Sequence, residues 1–307
     1  MTVVFMGTPD FAVPCLVRLA DDGYDIRGVF TNPDRPKGRG MKLTISPVKE
    51  QALRYVLPVF QPQTLKTLDV LDTLRALAPD VIVVVAYGQI LPPDVLAIPP
   101  LGCLNVHASL LPAYRGAAPI QWSIIRGETE TGVTTMHMAK GLDTGDIIDR
   151  MPTPIGARET AGTLSARLSD MGADLLAGTL STLQSGTASR TPQDDAQATY
   201  APLITREMGR IDWTRPAPDI DCLIRGLSPA PGAYTYTEGA SIKIWDAVVW
   251  DNPADAPPGA VLPHDDGFVT ACGDKTALLV TGVQGPGGKR MSARAYLNGH
   301  PLTRFDV

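Results

Sequence analysis

Apolar positions in the first half of the chain switch repeatedly between strand-like and helix-like spacing. Residues 3–6 form a short unbroken apolar run that ends at Gly7 and predicts a strand. Residues 11–20 place apolar side chains at helical spacing, with Asp10 as a candidate N-cap. Residues 26–30 predict a second strand, and Ser46-Pro47 has the form of an N-cap followed by proline at the first helical position. Leu65, Leu68, Leu71, Leu74 and Leu77 recur every third residue and predict a helix over 65–77. The run 80–86, DVIVVVA, has no polar face, which suits a parallel strand covered on both sides. Strand, helix, strand, helix is the order of a doubly wound, Rossmann-like α/β sheet.

The pattern continues with strands predicted over 103–107, 131–138 and 147–151 and helices over 119–125 and 160–183. Composition then shifts. Residues 185–197 are rich in Ser, Thr, Gln, Ala and Asp, as in an exposed linker. Beyond it, short apolar runs at 233–237, 242–250, 259–262, 268–271 and 277–283 are separated by Gly, Pro and Asp, and 219–227 and 292–297 predict helices. Five short strands so closely spaced predict a small β-barrel. The expected division is a catalytic domain over 1–184, a linker over 185–205 and a second domain over 206–307.

The length of 307 residues agrees with two domains. With 44% hydrophobic and 19% charged residues, the chain is neither disordered, nor collagen-like, nor a disulfide scaffold. A net charge of −5 argues against a protein that coats nucleic acid, and leaves room for a local basic patch. Cys15, Cys103, Cys222 and Cys272 are far apart and read as isolated thiols of a reducing compartment, not as a metal site. The longest apolar run, 81–87, is far short of the ~20 residues that span a bilayer. The first residues lack the basic segment of a secretory leader. A cytoplasmic protein without a membrane segment is expected.

Four stretches could carry chemistry, each with a plainer alternative. GTPDF (7–11) follows the first strand, as a ligand-contacting turn or as a turn that only needs glycine. PDRPKGRGMK (33–42) carries Arg35, Lys37, Arg39 and Lys42 against one acid, and Gly38, Gly40, Pro33 and Pro36 forbid a regular element. It is a grip for a polyanion or a solvated loop. Asn105 and His107 lie two apart on a predicted strand, so both side chains share one face at the strand end, where open α/β sheets bind ligands. Each could equally be a capping or satisfied core residue. Asp143 lies between Gly141 and Gly145 in KGLDTGD, as a functional carboxylate or an Asx-turn residue.

Taken together, Asn105-x-His107, the segment SLLPAYRG (109–116) and Asp143 in GLDTGD closely resemble the folate-dependent formyltransferases. The likeness extends over essentially the whole chain, through VVVAYGQILP (83–92), RGAAPIQW (115–122) and the IDW of 211–213. The resemblance implies transfer of a formyl group from 10-formyltetrahydrofolate, without a metal and without a covalent enzyme intermediate. The basic loop and the β-rich C-terminus point to the branch whose acceptor is methionine on initiator methionyl-tRNA, serving translation initiation as a monomer. In that resemblance Asn105 donates to the developing oxyanion, His107 takes part in proton transfer and Asp143 orients the imidazole. Ser109, Leu110, Leu111 and Pro112, with Val85, Ala86 and Tyr87, line the folate pocket. Arg35, Lys37, Arg39 and Lys42 reach the tRNA acceptor end. The C-terminal domain resembles an OB-like barrel, a common nucleic-acid platform. It is not basic overall, with 10 Lys plus Arg against 12 Asp plus Glu over 204–307, and Lys289, Arg290, Arg294 and Arg304 are its candidates for a basic face. Three rival readings are a formyltransferase for glycinamide ribonucleotide or a nucleotide-linked amino sugar, an RNA-binding protein with an inactive folate domain, and a nicotinamide-dependent oxidoreductase.

Overall fold

The structure is a computed structural model that describes residues 1–37, 42–253 and 255–307. The chain forms two compact units that interleave in sequence. The first comprises Met1–Gly116, Glu130–Pro154 and Ser165–Tyr200, and the second Ala117–Thr129, Ile155–Leu164 and Ala201–Val307.

The first unit is built on a seven-stranded mixed sheet. Its strands are β1 (Thr2–Gly7), β2 (Asp25–Phe30), β5 (Val59–Phe60), β6 (Val81–Val85), β7 (Cys103–His107), β8 (Glu130–His137) and β9 (Ile147–Pro154), and the two-stranded hairpin β3 (Arg35–Lys37) and β4 (Lys42–Thr44) stands apart from it. The sheet order is β5-β2-β1-β6-β7-β8-β9. Pairing is parallel from β5 through β7 and antiparallel at β7–β8 and β8–β9. The chain winds outward from β1 to β5 and then returns to β6 on the other side of β1. The topological switch point therefore falls between β1 and β6, and crevices at such points hold ligands in open α/β sheets.

Both faces of the parallel strands are covered, which is why the β6 run has no polar side. Val3, Phe5, Val81, Val83, Val85, Leu104 and Val106 pack on one face with residues of α1 (Val13–Asp21), α2 (Pro47–Arg54) and the long helix 161–184. Val4, Met6, Ile82, Val84 and Cys103 pack on the other with Val70, Leu71 and Leu74 of α3 (Leu68–Leu77). Three elements differ from the sequence reading. Asp10 caps nothing. Residues Asp10–Ala12 form a 3-10 turn, and α1 begins at Val13, so the missing N–H of Pro14 falls in the first turn, where no intrahelical partner exists. The leucine row begins before its helix: Leu65 is buried ahead of the N-cap Thr67, while Leu68 faces solvent. The basic segment is not wholly irregular. Arg35, Pro36 and Lys37 pair with Thr44, Leu43 and Lys42, a ladder whose strands are both edges and so tolerate proline's missing N–H. Ser46 caps α2 as expected, accepting from the Lys49 N–H at 3.0 Å.

The second unit is an antiparallel sheet of β10 (Ala233–Thr237), β11 (Ala240–Trp250), β12 (Val261–His264), β13 (Gly267–Ala271), β14 (Ala277–Gln284) and β15 (Met291–Ser292). The order is β10-β11-β14-β13-β12, with β15 beside β14. Trp213 of the IDW segment is fully buried, stacked on Phe305 at 5.2 Å between ring centroids, and its indole N–H donates to Thr235 Oγ1 at 2.9 Å. Ile220 and Ile224 of the helix 217–226 close this core.

Leu74→Ala removes a fully buried side chain and is expected to cost about 2–5 kcal/mol in urea denaturation. Leu68→Ala, at a position 75% exposed, should stay within about 0.5 kcal/mol of the parent. Equal losses would contradict the packing described for α3.

Candidate active site

Along β7 the burial pattern is interrupted only at Asn105, which is half-exposed between fully covered neighbours. Asn105 and His107 share a face, as period two dictates, with Met136 and Thr134 of β8 directly beside them. Asp143 comes from the glycine-bounded turn after β8 and meets both. Its Oδ1 accepts from Asn105 Nδ2 at 3.3 Å, and its Oδ2 lies 3.7 Å from His107 Nδ1. Oδ2 also accepts the Gly116 backbone N–H at 2.9 Å. His107 Nε2 sits 3.0 Å from the Tyr114 carbonyl, which can only accept, so Nε2 carries a proton and Nδ1 is the nitrogen turned toward the carboxylate.

The turn needs its glycines. Asp143 itself has φ +52°, and Gly141 lies at φ +136°, in the region side chains disfavour. A Cβ at Gly145 would run into the His137 carbonyl oxygen. The SLLPAYRG segment is shaped by Thr134, which accepts the Leu111 N–H at 3.2 Å and donates to the Ser109 carbonyl at 2.6 Å. The Ser109 hydroxyl is buried and donates to the Ala113 carbonyl at 2.6 Å. Leu111 is buried, whereas Leu110 and Pro112 are half-exposed.

The backbone of Val85, Ala86 and Tyr87 emerges beside this group, because Val84 pairs with Asn105. Ala86 is exposed at φ +46°. Tyr87 is buried; loss of hydration pushes its phenol up to about 12, and its carbonyl accepts from Thr8 Oγ1 at 3.1 Å and Asn32 Nδ2 at 2.9 Å. Thr8, Asn32 and Tyr87 thus join the C-terminal ends of β1, β2 and β6 at the switch point. The sequence reading named Tyr87 but missed Asn32 and Gln61. Gln61 donates to the Asn32 carbonyl and to Asp34, at 2.9 and 2.7 Å. Hydrogen bonds from Lys49 and Gln61 hold the Asp34 carboxyl below its usual range and fix the base of the basic hairpin. Arg35 is exposed at that base. Arg39 lies outside the described residues, as do the side chains of Lys37 and Lys42.

The segment read as an exposed linker is tied to the site. Gln193 donates to the carbonyls of Asp143 and Gly145 and accepts from Arg115. In the second unit, Arg290 is committed to Asp246, with both carboxylate oxygens 2.7 Å away, while Lys289, Arg294 and Arg304 remain exposed. Among the described residues, no group of three or more His, Cys, Asp and Glu is arranged to hold a metal ion, and no helix is long and apolar enough to cross a membrane.

An amide donor, an imidazole and a carboxylate converging at strand ends can stabilise developing negative charge and hold a proton. The chain belongs to the formyl transferase family, whose sequence profile matches residues 1–180, with the profile of the formyl transferase C-terminal domain matching 203–301. It is similar to the methionyl-tRNA formyltransferase of Caldanaerobacter subterraneus subsp. tengcongensis, 51% identical over 98% of each chain. The methionyl-tRNA formyltransferase of Bacillus subtilis is 46% identical over 99% of this chain and 96% of its own. The fold resembles that of an N-formyltransferase from Helicobacter canadensis solved with folinic acid and dTDP-3-aminofucose, with a TM-score of 0.67 at 18% identity over 91% of this chain and 98% of that one.

One histidine near the turn has a different part. His137 is buried, its Nε2 has no hydrogen-bond partner among the described residues, and its Nδ1 lies 3.4 Å from the Arg190 guanidinium. Burial, reinforced by Arg190, lowers its affinity for a proton. The unfolded chain therefore binds that proton more readily, and the fold loses stability as pH falls below the ordinary histidine value of about 6.5. His137→Gln should lose less stability than the parent between about pH 7 and pH 5 in denaturant titrations. Parallel losses would contradict this assignment.

Proposed function

We propose that this chain transfers the formyl group of 10-formyltetrahydrofolate to the α-amino group of methionine on initiator methionyl-tRNA, supporting translation initiation as a cytoplasmic monomer. The observation that carries the reading is identity of about one half, over almost the full length of both chains, to an enzyme of that name.

The donor set at the ends of β6 and β7 fits a folate. Asn105 bears two amide hydrogens, only one of which is directed at Asp143. The exposed backbone at Ala86 and the partly exposed side chains of Leu110 and Pro112 offer hydrogen-bonding edges beside apolar surface, as a flat heterocycle requires. Ser109, Leu110, Leu111, Pro112, Val85, Ala86 and Tyr87 would hold it, Ser109 and Leu111 through backbone and loop shape, since both side chains are buried. When bound, the co-substrate supplies the formyl group.

The residues of the chain then divide the work. The free Asn105 hydrogen serves the oxygen on which negative charge develops, a contribution of ~3 kcal/mol for one well-placed donor. His107 is tethered through Nε2 to Tyr114, and a proton arriving at Nδ1 meets the Asp143 carboxylate. Asp143 fixes the orientation of both partners. Arg35, Lys37, Arg39 and Lys42 supply positive charge to the tRNA acceptor end. We read the second unit as an OB-like barrel and tRNA platform, and the chain as a catalytic domain over 1–184, a linker over 185–205 and this platform over 206–307. Of the four cations named for its basic face, Arg290 is paired, and Lys289, Arg294 and Arg304 are the exposed ones that remain.

The test is formyl transfer from 10-formyltetrahydrofolate to four acceptors: methionyl initiator tRNA, methionyl elongator tRNA, glycinamide ribonucleotide and a nucleotide-linked amino sugar. Strong preference for the initiator tRNA is expected, and Asn105→Ala should lower turnover about 100-fold with tRNA affinity nearly unchanged. Transfer to a small amine alone would overturn the acceptor, and equal losses of turnover and affinity would overturn the role of Asn105.

A further inference from the structure

We propose that Gln193 is a positioning residue that locks the Asp143 turn against the Arg115 segment, so that the carboxylate stays aimed at Asn105 and His107. The role in turnover rests on the function proposed above; the latch itself is a matter of geometry. Gln193 lies in a polar stretch with no periodicity and sits fifty residues from the turn it holds. Its side-chain amide is used in full. The Nε2 group donates to the Asp143 and Gly145 carbonyls, both at 2.8 Å. The Oε1 atom accepts from Arg115 Nε at 3.0 Å and Nη2 at 2.9 Å. An amide has two donor hydrogens and two acceptor lone pairs, and all four are engaged here.

The two ends of this latch are the two segments the site needs. Arg115 is 2% exposed although charged, and its remaining contact is Asp195 Oδ1 at 2.8 Å, so the hydrogen bonds described for its guanidinium all run to residues 193 and 195. The residues flanking Arg115 contact the site directly: Tyr114 through its carbonyl to His107, and Gly116 through its N–H to Asp143. Thr199 reinforces the same segment, with its Oγ1 accepting the Tyr114 N–H at 2.8 Å and its carbonyl accepting the Arg115 N–H at 2.8 Å. At the other end, Asp143 sits in a left-handed conformation that costs a non-glycine residue of order 1–3 kcal/mol and persists only where surroundings enforce it. Two donors from Gln193 on that turn's carbonyls provide the enforcement.

Gln193→Glu separates the latch from general packing. The carboxylate keeps the size and the Arg115 contact and removes both donors to the turn. With the initiator tRNA as acceptor, turnover is expected to fall about 10- to 100-fold while KM for folate and tRNA and the melting temperature change little. In an Asp143→Ala background the same substitution should add less than about twofold, because the residue acts through Asp143. A crystal structure of the variant should find the Asp143 carboxylate moved away from the Gly116 N–H and His107. Unchanged turnover, full additivity with Asp143→Ala, or a fall shared by turnover, KM and melting temperature would overturn the proposal. If the parent enzyme formylates none of the acceptors, the proposed function fails, and the variant structure decides the latch: an unmoved Asp143 overturns it.

Discussion

The site depends on where one carboxylate is held. Asp143 receives a side-chain amide, faces an imidazole nitrogen and accepts a backbone N–H, and these three partners come from three points of one segment of chain, at 105, 107 and 116. A carboxylate accepts only, so the Asn105 amide and the Gly116 N–H each present a proton to it, and His107 Nδ1 can do so only once it has gained one. The acceptor-only carboxylate fixes the Asn105 amide orientation, and the bond from His107 Nε2 to the Tyr114 carbonyl leaves Nδ1 turned toward the acid. The glycine-bounded turn, the left-handed Asp143 and the amide of Gln193 all serve to bring that group to β7.

The sheet supplies the rest. Winding outward from β1 and returning through β6 leaves the C-terminal ends of β1, β2, β6 and β7 on one edge. Thr8, Asn32 and Tyr87 bridge three of those ends with hydrogen bonds to a single carbonyl. Asn32 also leads into Asp34, whose pairing with Lys49 and Gln61 sets the base of the basic hairpin. The segment that carries positive charge and the backbone that borders the site are therefore anchored by one polar network. Replacing any of its members by an apolar side chain would leave partly buried carbonyls and amides without partners.

Much of this was legible in local pattern. The parallel strands announced themselves as two-faced apolar runs, and period two placed Asn105 and His107 together. Asp143 stood out by itself only as a carboxylate in a glycine-bounded turn, and it was the resemblance that joined it to them; its turn lies 38 residues from Asn105, and no spacing rule spans that distance. Other features escaped because they are tertiary. Leu68 fits the leucine row yet faces solvent, since the helix begins there and the burial of Leu65 comes from the chain before it. Pro14 moved the start of α1 past Asp10. Pro36 sits in a ladder because both strands are edges. Gln193 occupies a stretch whose composition reads as solvent-exposed, and its meaning lies entirely in carbonyls 48 and 50 residues away.

The proposed chemistry requires the charge of Asp143 and not merely its shape. The direct measurement is the single-turnover rate of formyl transfer by Asp143→Asn, alongside folate affinity measured separately. A fall of at least about 100-fold in rate is expected, within the range for removing a proton-transfer partner, with affinity changed by less than about threefold. A variant that transfers formyl at close to the parent rate would contradict it.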